Sequence, residues 1–369
     1  MFFNEEKFLD IFKNTEKISF DKFYTNFKVK TSNKLVPLSN YKVNKVHTKP
    51  LYEHIINKNE YLKRFYETSL NFSNDISIKE KAMTSKKLDN NEQVKYKNII
   101  RNMHFKEILK NTHSGFENNP TYLNILEDLY NNNIIDYKLL TPSALYYIKE
   151  NRIGSVFSSF YFRASILNPY LVYSLNHSIL KGKKIFTPTL GWSSYCYGFL
   201  ECPYVEEYVG TDVINSVCKK TKTFATKHYP EKKVEIFNSP SENLSKNASF
   251  IKKYTNHFDV VFFSPPYFKL ELYSGKNQST NMYKSYEEWL VKYWEATIQL
   301  CFKVLQSNGR LCYILSGYGK NLEYDLVTDM NTVTSKYFTL KKIIPMQNKN
   351  VHVTNHRTTG EQIIIFEKK

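Results

Sequence analysis

The residues best suited to chemistry in this chain are a serine, two prolines and a tyrosine that directly follow the hydrophobic run 258–263. Proline has no amide hydrogen and a fixed φ, so a β-strand ends where two prolines follow each other. The carbonyls before the proline rings are then free of a strand ladder, and an aromatic ring lies where open α/β sheets bind ligands. Rigid acceptors beside a flat ring suit a flat substrate with an amino group, such as a nucleobase. The four residues are Ser264, Pro265, Pro266 and Tyr267.

The elements that must position this motif follow from the pattern after about residue 146, where short apolar segments alternate with helical ones. Such alternation predicts β-α-β units and a parallel sheet. A long amphipathic helix is expected over 284–306, leading into the fifth strand. The predicted strands lie at 183–188, 208–212, 234–237, 259–263 and 309–315, with an antiparallel closing pair at 338–344 and 362–366.

The N-terminal region, residues 1–145, has a mostly helical pattern with polar joints and no catalytic motif. Residues 73–95, rich in Asn, Ser, Lys and Glu, are expected to form a surface loop or a mobile segment. We therefore predict two domains, a helical accessory region at 1–145 that binds nucleic acid or a partner, and a catalytic domain at 146–369.

The charge of the chain favours a polyanionic partner. Lys and Arg number 52 against 35 Asp and Glu, a formal net charge of +17 over 369 residues. Residues 1–150 carry 24 against 18, a net of +6, so the remainder carries 28 against 17, a net of +11. An excess of this size is typical of proteins that bind nucleic acid. A compositional drift toward lysine is the alternative explanation.

The cysteine and histidine patterns give no metal site. The five cysteines form no C-x-x-C pair and have no zinc-type spacing, and the nine histidines form no H-E-x-x-H motif. Free thiols are typical of a reducing compartment such as cytoplasm or nucleus. No run of 18 uncharged apolar residues is present, so we expect no membrane span.

The serine-proline-proline-tyrosine motif resembles the Ser/Asn/Asp-Pro-Pro-aromatic signature of S-adenosylmethionine-dependent methyltransferases that modify DNA at cytosine N4 or adenine N6. The resemblance implies a Rossmann-like class I methyltransferase sheet, α/β in class, mostly parallel with an antiparallel closing strand, behind a mainly helical N-terminal region. The lysine- and asparagine-rich composition also resembles that of proteins from large DNA viruses.

This resemblance implies a mechanism for the motif. The amine of a nucleobase is a weak nucleophile because its lone pair is delocalised into the ring. The Ser264 hydroxyl and the Pro265 carbonyl would accept its two protons and free the lone pair, while Tyr267 stacks on a base flipped out of the duplex. Serine at the first position is typical of cytosine N4 enzymes. Two alternatives remain. One is methylation of RNA, and the other is a catalytically silent fold that binds nucleic acid or a partner protein. The expected partners also include a second copy of the chain in a homodimer.

The loop after the first predicted strand resembles the family's Asp-Pro-x-x-Gly-x-Gly cofactor loop, in its Gly-Trp variant. Thr187 replaces the acid and Ser193 the second glycine, and a plain β-α turn is the alternative. An acid 21 residues after Gly191, Asp212, is placed for the ribose hydroxyls of S-adenosylmethionine. Glu242 is the candidate for the adenine side. The predicted cofactor-binding residues are Thr187, Pro188, Gly191, Trp192, Ser193, Asp212, Glu242, Arg163 and Ser165.

Two further segments are candidates for contacts with nucleic acid. The loop 269–278 follows the motif and is expected either to close over the target strand or to be an ordinary connection. A basic run between the last two predicted strands would neutralise phosphates. Its members are Lys341, Lys342, Lys349, His352, His356 and Arg357.

Overall fold

The structure is a computed structural model that describes residues 2–13, 18–32, 34–115, 120–317, 324–347 and 358–368. The chain folds into two compact units. The first comprises Met1–Asn71 and Arg101–Ser165, and the second comprises Phe72–Ile100 and Ile166–Lys369.

The described residues form twelve β-strands and seventeen α-helices. The strands are β1 (Lys28–Lys30), β2 (Leu35–Pro37), β3 (His113–Ser114), β4 (Ile134–Asp136), β5 (Lys184–Thr187), β6 (Glu207–Asp212), β7 (Lys233–Asn238), β8 (Phe258–Phe263), β9 (Glu271–Leu272), β10 (Leu305–Leu315), β11 (Phe338–Gln347) and β12 (Thr358–Lys368). The helices are α1 (Glu5–Asp10), α2 (Phe20–Asn26), α3 (Lys49–Ile56), α4 (Lys58–Ser69), α5 (Lys95–Met103), α6 (Tyr122–Asn131), α7 (Pro142–Lys149), α8 (Ile153–Phe160), α9 (Pro169–Leu175), α10 (Ser194–Leu200), α11 (Asn215–His228), α12 (Ser241–Leu244), α13 (Ala248–Tyr254), α14 (Ser279–Met282), α15 (Tyr286–Trp289), α16 (Ala296–Val304) and α17 (Leu326–Ser335).

Seven strands of the second unit form one sheet in the order β11-β12-β10-β8-β5-β6-β7. Strand β12 runs antiparallel to both its neighbours, β10 and β11. The pairs β10-β8, β8-β5, β5-β6 and β6-β7 are parallel. The predicted α/β sheet of Rossmann-like class I methyltransferase type, mostly parallel with an antiparallel closing strand, is confirmed.

The strand order places the switch point of the sheet between β5 and β8. From β5 the chain proceeds outward through β6 and β7, and from β8 it proceeds the other way to β10. In such sheets the loops after the two central strands diverge and leave a crevice at their carboxyl ends. The glycine loop follows β5 and the proline motif follows β8, so both candidate segments emerge at this crevice.

The central strand β8 shows why the sheet was readable from sequence. Five of its six residues are fully or almost fully buried, as expected for a parallel strand covered on both faces. The exception, Asp259, accepts hydrogen bonds from the backbone N–H of Lys183, at 3.0 and 3.1 Å, and of Lys184, at 3.1 Å. This carboxylate ties the start of β8 to the start of β5. Strand β10 begins at Leu305, whereas the sequence predicted a start at 309. Its pairing with β8 shifts register between Leu305 and Arg310.

Residues 72–100 pack with the sheet unit, whereas the sequence-based division at 145/146 places them with the N-terminal region. Ile76 and Met83 are buried, and the N–H of Met83 donates to the Ser174 hydroxyl at 3.0 Å. The N–H of Asn168 donates to the side chain of Asn90 at 2.7 Å. Buried apolar side chains and hydrogen bonds of backbone amides hold this segment in the second unit. Its polar composition therefore did not indicate that it packs there.

The first unit is mainly helical and contains a three-stranded sheet in the order β2-β1-β4. Its core is rich in aromatic rings. The ring of Phe8 lies 5.5–5.9 Å from those of Phe12, Phe65, Tyr66 and Phe105. Ring pairs at such distances add to the free energy gained by burial alone.

All five cysteines lie buried and unpaired, as predicted for free thiols. Within the described part of the chain, no helix is both long enough and apolar enough to cross a bilayer.

We expect Gly210→Ala to destabilise the second unit by about 1–3 kcal/mol, the usual cost of overfilling a packed site. Gly210 lies in β6, and a Cβ there would lie 2.5 Å from Cδ2 of Leu190 and 2.9 Å from Oγ1 of Thr187. Denaturant unfolding followed by tryptophan fluorescence measures this unit selectively, because all three tryptophans, Trp192, Trp289 and Trp294, belong to it.

The matched control is Gly154→Ala in α8 of the first unit. Its added Cβ would meet only Cε2 of Tyr61, at an ordinary 3.4 Å. Alanine favours a helix over glycine by about 1 kcal/mol, so the substitution should not destabilise the first unit. Because the three tryptophans belong to the second unit, their unfolding transition should be unaltered. An unchanged transition for Gly210→Ala would contradict the packing described for β6.

Candidate functional site

The glycine loop after β5 contains three consecutive residues in the left-handed region. Gly191, Trp192 and Ser193 have φ values of +51°, +58° and +70°. This region is uncommon for residues other than glycine, Asn and Asp. The N–H of Ser194 donates to the Gly191 carbonyl at 3.0 Å, and α10 begins there. The predicted strand-loop-helix context is therefore present, with a backbone conformation that its sequence disfavours.

Ser193, which replaces the second glycine, keeps the turn through a hydrogen bond. It is fully buried, and its hydroxyl lies 2.6 Å from the hydroxyl of Thr221 in α11. A glycine would need no such compensation, because it adopts positive φ without strain. The departure at 193 thus leaves the shape of the loop intact.

The requirement for glycine at 191 comes from a neighbouring ring. A Cβ on Gly191 would lie 2.2 Å from Cζ and 2.6 Å from the hydroxyl oxygen of Tyr195. Tyr195 itself is only 3 % exposed. The packing of this ring is sufficient to require glycine at 191.

Asp212 ends β6 and holds the glycine loop. One of its carboxylate oxygens accepts from the N–H of Leu190 at 3.2 Å and the other from the N–H of Ile214 at 3.0 Å. Burial raises the pKa of Asp212, and these backbone donors oppose the rise. Each oxygen keeps a further lone pair, so the carboxylate can anchor the loop and still accept a hydrogen bond from a ligand.

Ser264 lies half-buried between the glycine loop and β10. Its hydroxyl donates to the carbonyl of Ile314 at 3.2 Å. Its N–H donates to the Tyr195 hydroxyl oxygen at 3.2 Å. Its carbonyl accepts from the hydroxyls of Tyr195, at 3.4 Å, and Thr189, at 3.5 Å.

The next acceptor in the motif is the Pro265 carbonyl. Among the residues that the structure describes, none donates a hydrogen bond to it. The Ser264 hydroxyl has committed its own proton to Ile314, which leaves the oxygen as an acceptor. The motif therefore presents two neighbouring acceptors of the kind predicted, while Pro266 continues the chain without a donor of its own.

Tyr267 is fixed by its hydroxyl. The N–H of Ser316, just beyond β10, donates to this hydroxyl oxygen at 2.7 Å, and the Ser316 hydroxyl lies 3.3 Å away. Burial raises the pKa of Tyr267, so the phenol stays neutral at physiological pH. The ring is half-buried, and its hydroxyl end is held by Ser316.

Thr187 has a structural partner within the sheet. Its hydroxyl lies 2.6 Å from that of Tyr208 in β6, and both residues are fully buried. Pro188 is also buried. Trp192 is 7 % exposed, with its ring 5.8 Å from that of Tyr273.

Glu242 follows β7 at the start of α12 and is 4 % exposed. It accepts from the Tyr283 hydroxyl at 3.2 Å and from the Ser241 hydroxyl at 3.5 Å. Burial raises the pKa of Glu242 above its ordinary 4.5, and these hydrogen bonds oppose the rise.

The remaining predicted residues are Arg163, Ser165 and those of the loop 269–278. Arg163 and Ser165 belong to the first unit, where the Arg163 guanidinium lies 5.7 Å from the ring centroid of Tyr122, and their role stays a prediction. In the loop 269–278, the Tyr273 hydroxyl donates to Glu271 at 2.6 Å, and closure over a strand is untested.

The basic run was predicted to lie between the last two strands, but Lys341 and Lys342 lie within β11. Lys341 pairs with Glu367 at 2.8 Å, and Lys342 is exposed. The other members, Lys349, His352, His356 and Arg357, lie outside the described residues.

Sequence reasoning missed Tyr195 and Thr189, which join the glycine loop to the motif, and Ser316, which holds Tyr267 from the end of β10. Hydroxyl partners across the sheet leave no trace in spacing.

No protein-family model and no curated protein matches this chain. Solved structures that are similar to it include TrmN from Thermus thermophilus, with 12 % identity and a TM-score of 0.37 over 55 % of this chain and 49 % of that one. A methyltransferase from Pyrococcus furiosus has 20 % identity and a TM-score of 0.36 over 55 % of this chain and 83 % of that one. A putative class I S-adenosylmethionine-dependent methyltransferase from Listeria monocytogenes has 15 % identity and a TM-score of 0.35, over 54 % and 58 %. The chain spans about half the length of TrmN. The fold assignment rests on the strand order and directions given above.

We expect Glu242→Gln to stabilise the second unit increasingly as the pH rises. A carboxyl whose pKa is higher in the folded than in the unfolded state favours folding below pH 4.5, and this contribution is lost as the pH rises toward the raised pKa. Each unit of the rise corresponds to about 1.4 kcal/mol. Unfolding free energies from tryptophan fluorescence between pH 4 and 8 measure the difference between variant and wild type.

Glu235→Gln in β7 is a control of opposite sign. Partial burial would raise the pKa of Glu235, but the hydrogen bond and the charge of Lys253 counteract it, and the pKa is lowered. This variant should gain nothing at pH 8 and lose at most about 1 kcal/mol, as for a surface ion pair. Equal pH profiles for the two variants would contradict the assignment for Glu242.

Proposed function

We propose that this chain transfers a methyl group from S-adenosylmethionine to an exocyclic amine of a nucleobase in DNA, with cytosine N4 favoured over adenine N6. The observation that carries the proposal is the pair of adjacent acceptors, the Ser264 hydroxyl oxygen and the Pro265 carbonyl, at the switch point of the sheet. The ring of Tyr267 is fixed beside them.

The two acceptors suit an amino group that offers two protons. Since the Ser264 hydroxyl donates to Ile314, it meets an incoming N–H only as an acceptor. Accepting both protons draws the nitrogen toward a tetrahedral form and localises its lone pair. The neutral ring of Tyr267 supplies a stacking surface for a flipped base, which is worth about 1–3 kcal/mol. Serine at 264 supports cytosine.

The loops fit an adenosyl cofactor in several respects. Asp212 retains lone pairs for ribose hydroxyls beside the glycine loop, and Glu242 offers a second acid after β7. Ser193 preserves the turn despite the missing glycine. The Thr187 hydroxyl bonds to Tyr208, so we assign it to support of the loop. When bound, the cofactor would supply an electrophilic methyl group: an N–C bond would form as the S–C bond breaks, S-adenosylhomocysteine would leave, and the nitrogen would release one proton to solvent. The glycine loop, Asp212 and Glu242 are the residues that would hold the cofactor.

The distribution of charge supports a nucleic-acid substrate. Helix α11, which follows β6, carries four lysines and no acidic residue. Lys219, Lys222 and Lys227 are exposed. Phosphate contacts of such lysines contribute affinity without sequence information.

Calorimetry with S-adenosylmethionine tests the proposal first. We expect binding by the wild-type chain and weaker binding by Asp212→Ala. No binding at millimolar cofactor would overturn the enzyme proposal and favour a silent subunit. Incubation with DNA or RNA, digestion and mass spectrometry then identify the methylated base, and exclusive methylation of RNA would replace the proposed substrate.

We expect Ser264→Ala to lower kcat by about a hundredfold or more, the usual effect of removing a preorganised polar group from a reacting centre. Tyr267→Ala should abolish transfer, and Tyr267→Phe, which keeps the ring but loses the bond to Ser316, should be intermediate. Steady-state methylation assays at saturating cofactor measure all three.

The control for these variants is Ser249→Ala in α13, where the serine is exposed and its hydroxyl donates only to Asn247, at 2.7 Å. It should retain wild-type kcat. Cofactor affinity should be unaltered in the Ser264 and Tyr267 variants, and full activity in both Ser264→Ala and Tyr267→Ala would refute the assigned site.

A further inference from the structure

We propose that Tyr195 is the positioning residue of this site. Its hydroxyl fixes the backbone of Ser264 and thereby the two acceptors that hold the substrate amine. The inference rests on the proposed function and extends it to a residue that neither the motif nor the glycine loop includes.

The motif needs such an anchor because of its prolines. Pro265 and Pro266 have no N–H, so no neighbouring strand can hold them through a ladder hydrogen bond. Strand β8 ends at Phe263, which still pairs with Tyr313 of β10. The last backbone donor before the prolines is therefore the N–H of Ser264.

The Tyr195 hydroxyl contacts both backbone polar groups of Ser264, which belong to the two successive peptide units 263–264 and 264–265. It accepts from the Ser264 N–H at 3.2 Å and donates to the Ser264 carbonyl at 3.4 Å. One hydroxyl can do both, because it carries one proton and two lone pairs. The carbonyl in question belongs to the peptide bond that leads into Pro265, and the proline ring fixes φ of the next residue, so this contact restricts the placement of the Pro265 carbonyl.

The hydroxyl is itself held in place by packing. The Tyr195 ring meets Phe262 edge to face, with centroids 5.1 Å apart and an interplanar angle of 88°. The end of the ring that carries the hydroxyl lies against Gly191, where no Cβ would fit. Burial raises the pKa of Tyr195, which keeps its proton available for donation.

The same contacts connect the two loops. Tyr195 lies four residues after Gly191. The hydroxyl of Thr189, in the glycine loop, donates to the Ser264 carbonyl at 3.5 Å. The acceptors for the amine are thus positioned by the segment proposed to hold the methyl donor. A displacement of about 1 Å at such a centre lowers rates by about a hundredfold.

Tyr195→Phe tests the role, with Tyr197→Phe as the matched control. Both tyrosines lie in α10 and are at most 3 % exposed, but the Tyr197 hydroxyl donates to the carbonyl of Ile76 instead. We expect Tyr195→Phe to lower kcat about tenfold or more, with the Kd for S-adenosylmethionine unchanged. Tyr197→Phe should keep the wild-type kcat.

The split between kcat and Kd separates positioning from a general loss of structure, which would weaken cofactor binding as well. If Tyr195→Phe fails to fold, Thr189→Val removes the second hydroxyl at the Ser264 carbonyl and should lower kcat by a smaller factor at unchanged Kd. A wild-type kcat in folded Tyr195→Phe, or in Thr189→Val where that is the variant tested, overturns the inference alone. A wild-type chain that binds no cofactor or transfers no methyl group overturns the proposed function, and this inference with it.

Discussion

The absence of N–H groups at Pro265 and Pro266 is the constraint on which the candidate site depends. Two consecutive prolines cannot join a ladder, so the motif must be held at its ends. Tyr195 holds the Ser264 end, and the N–H of Ser316 holds the Tyr267 end. Both contacts use a tyrosine hydroxyl. That of Tyr195 reaches from α10 to the end of β8, and that of Tyr267 reaches from the motif to the end of β10. No described residue donates to the Pro265 carbonyl, so the segment that is hard to position supplies one of the two proposed acceptors, beside the Ser264 hydroxyl oxygen.

The glycine loop is built around the same need. Three residues in a row have positive φ, and two of them, Trp192 and Ser193, are not glycine. Such a conformation persists only where its surroundings determine it. Here the Asp212 carboxylate holds the N–H of Leu190, and the ring of Tyr195 lies over Gly191. A loop held from two directions is a rigid support, and α10, which follows it, carries the tyrosine that we propose positions the motif.

The sequence predicted the sheet well for physical reasons, and it marked the two loops of the candidate site without the contacts that hold them. Strands buried on both faces have hydrophobic sequences, so β5, β6, β8 and the second half of β10 were readable, and the prolines marked where β8 ends. The packing of residues 73–95 was not readable, because few of their side chains are buried and the contacts that hold them include specific hydrogen bonds such as that of Asn90 with Asn168. The role of Tyr195 depends on where a hydroxyl meets a distant backbone, which neither composition nor periodicity encodes.

Threonine at 187 and serine at 193 read from the sequence as losses in the cofactor loop, but their surroundings account for both. Thr187 is fully buried beside the Tyr208 hydroxyl, a place where a carboxylate would be costly without a cationic partner. The neighbouring acid, Asp212, already holds the loop through Leu190. The hydroxyl of Ser193, which has positive φ, bonds to that of Thr221. Contacts with Tyr208, Asp212 and Thr221 therefore hold the loop in a chain whose residues at 187 and 193 differ from those of the motif that it resembles.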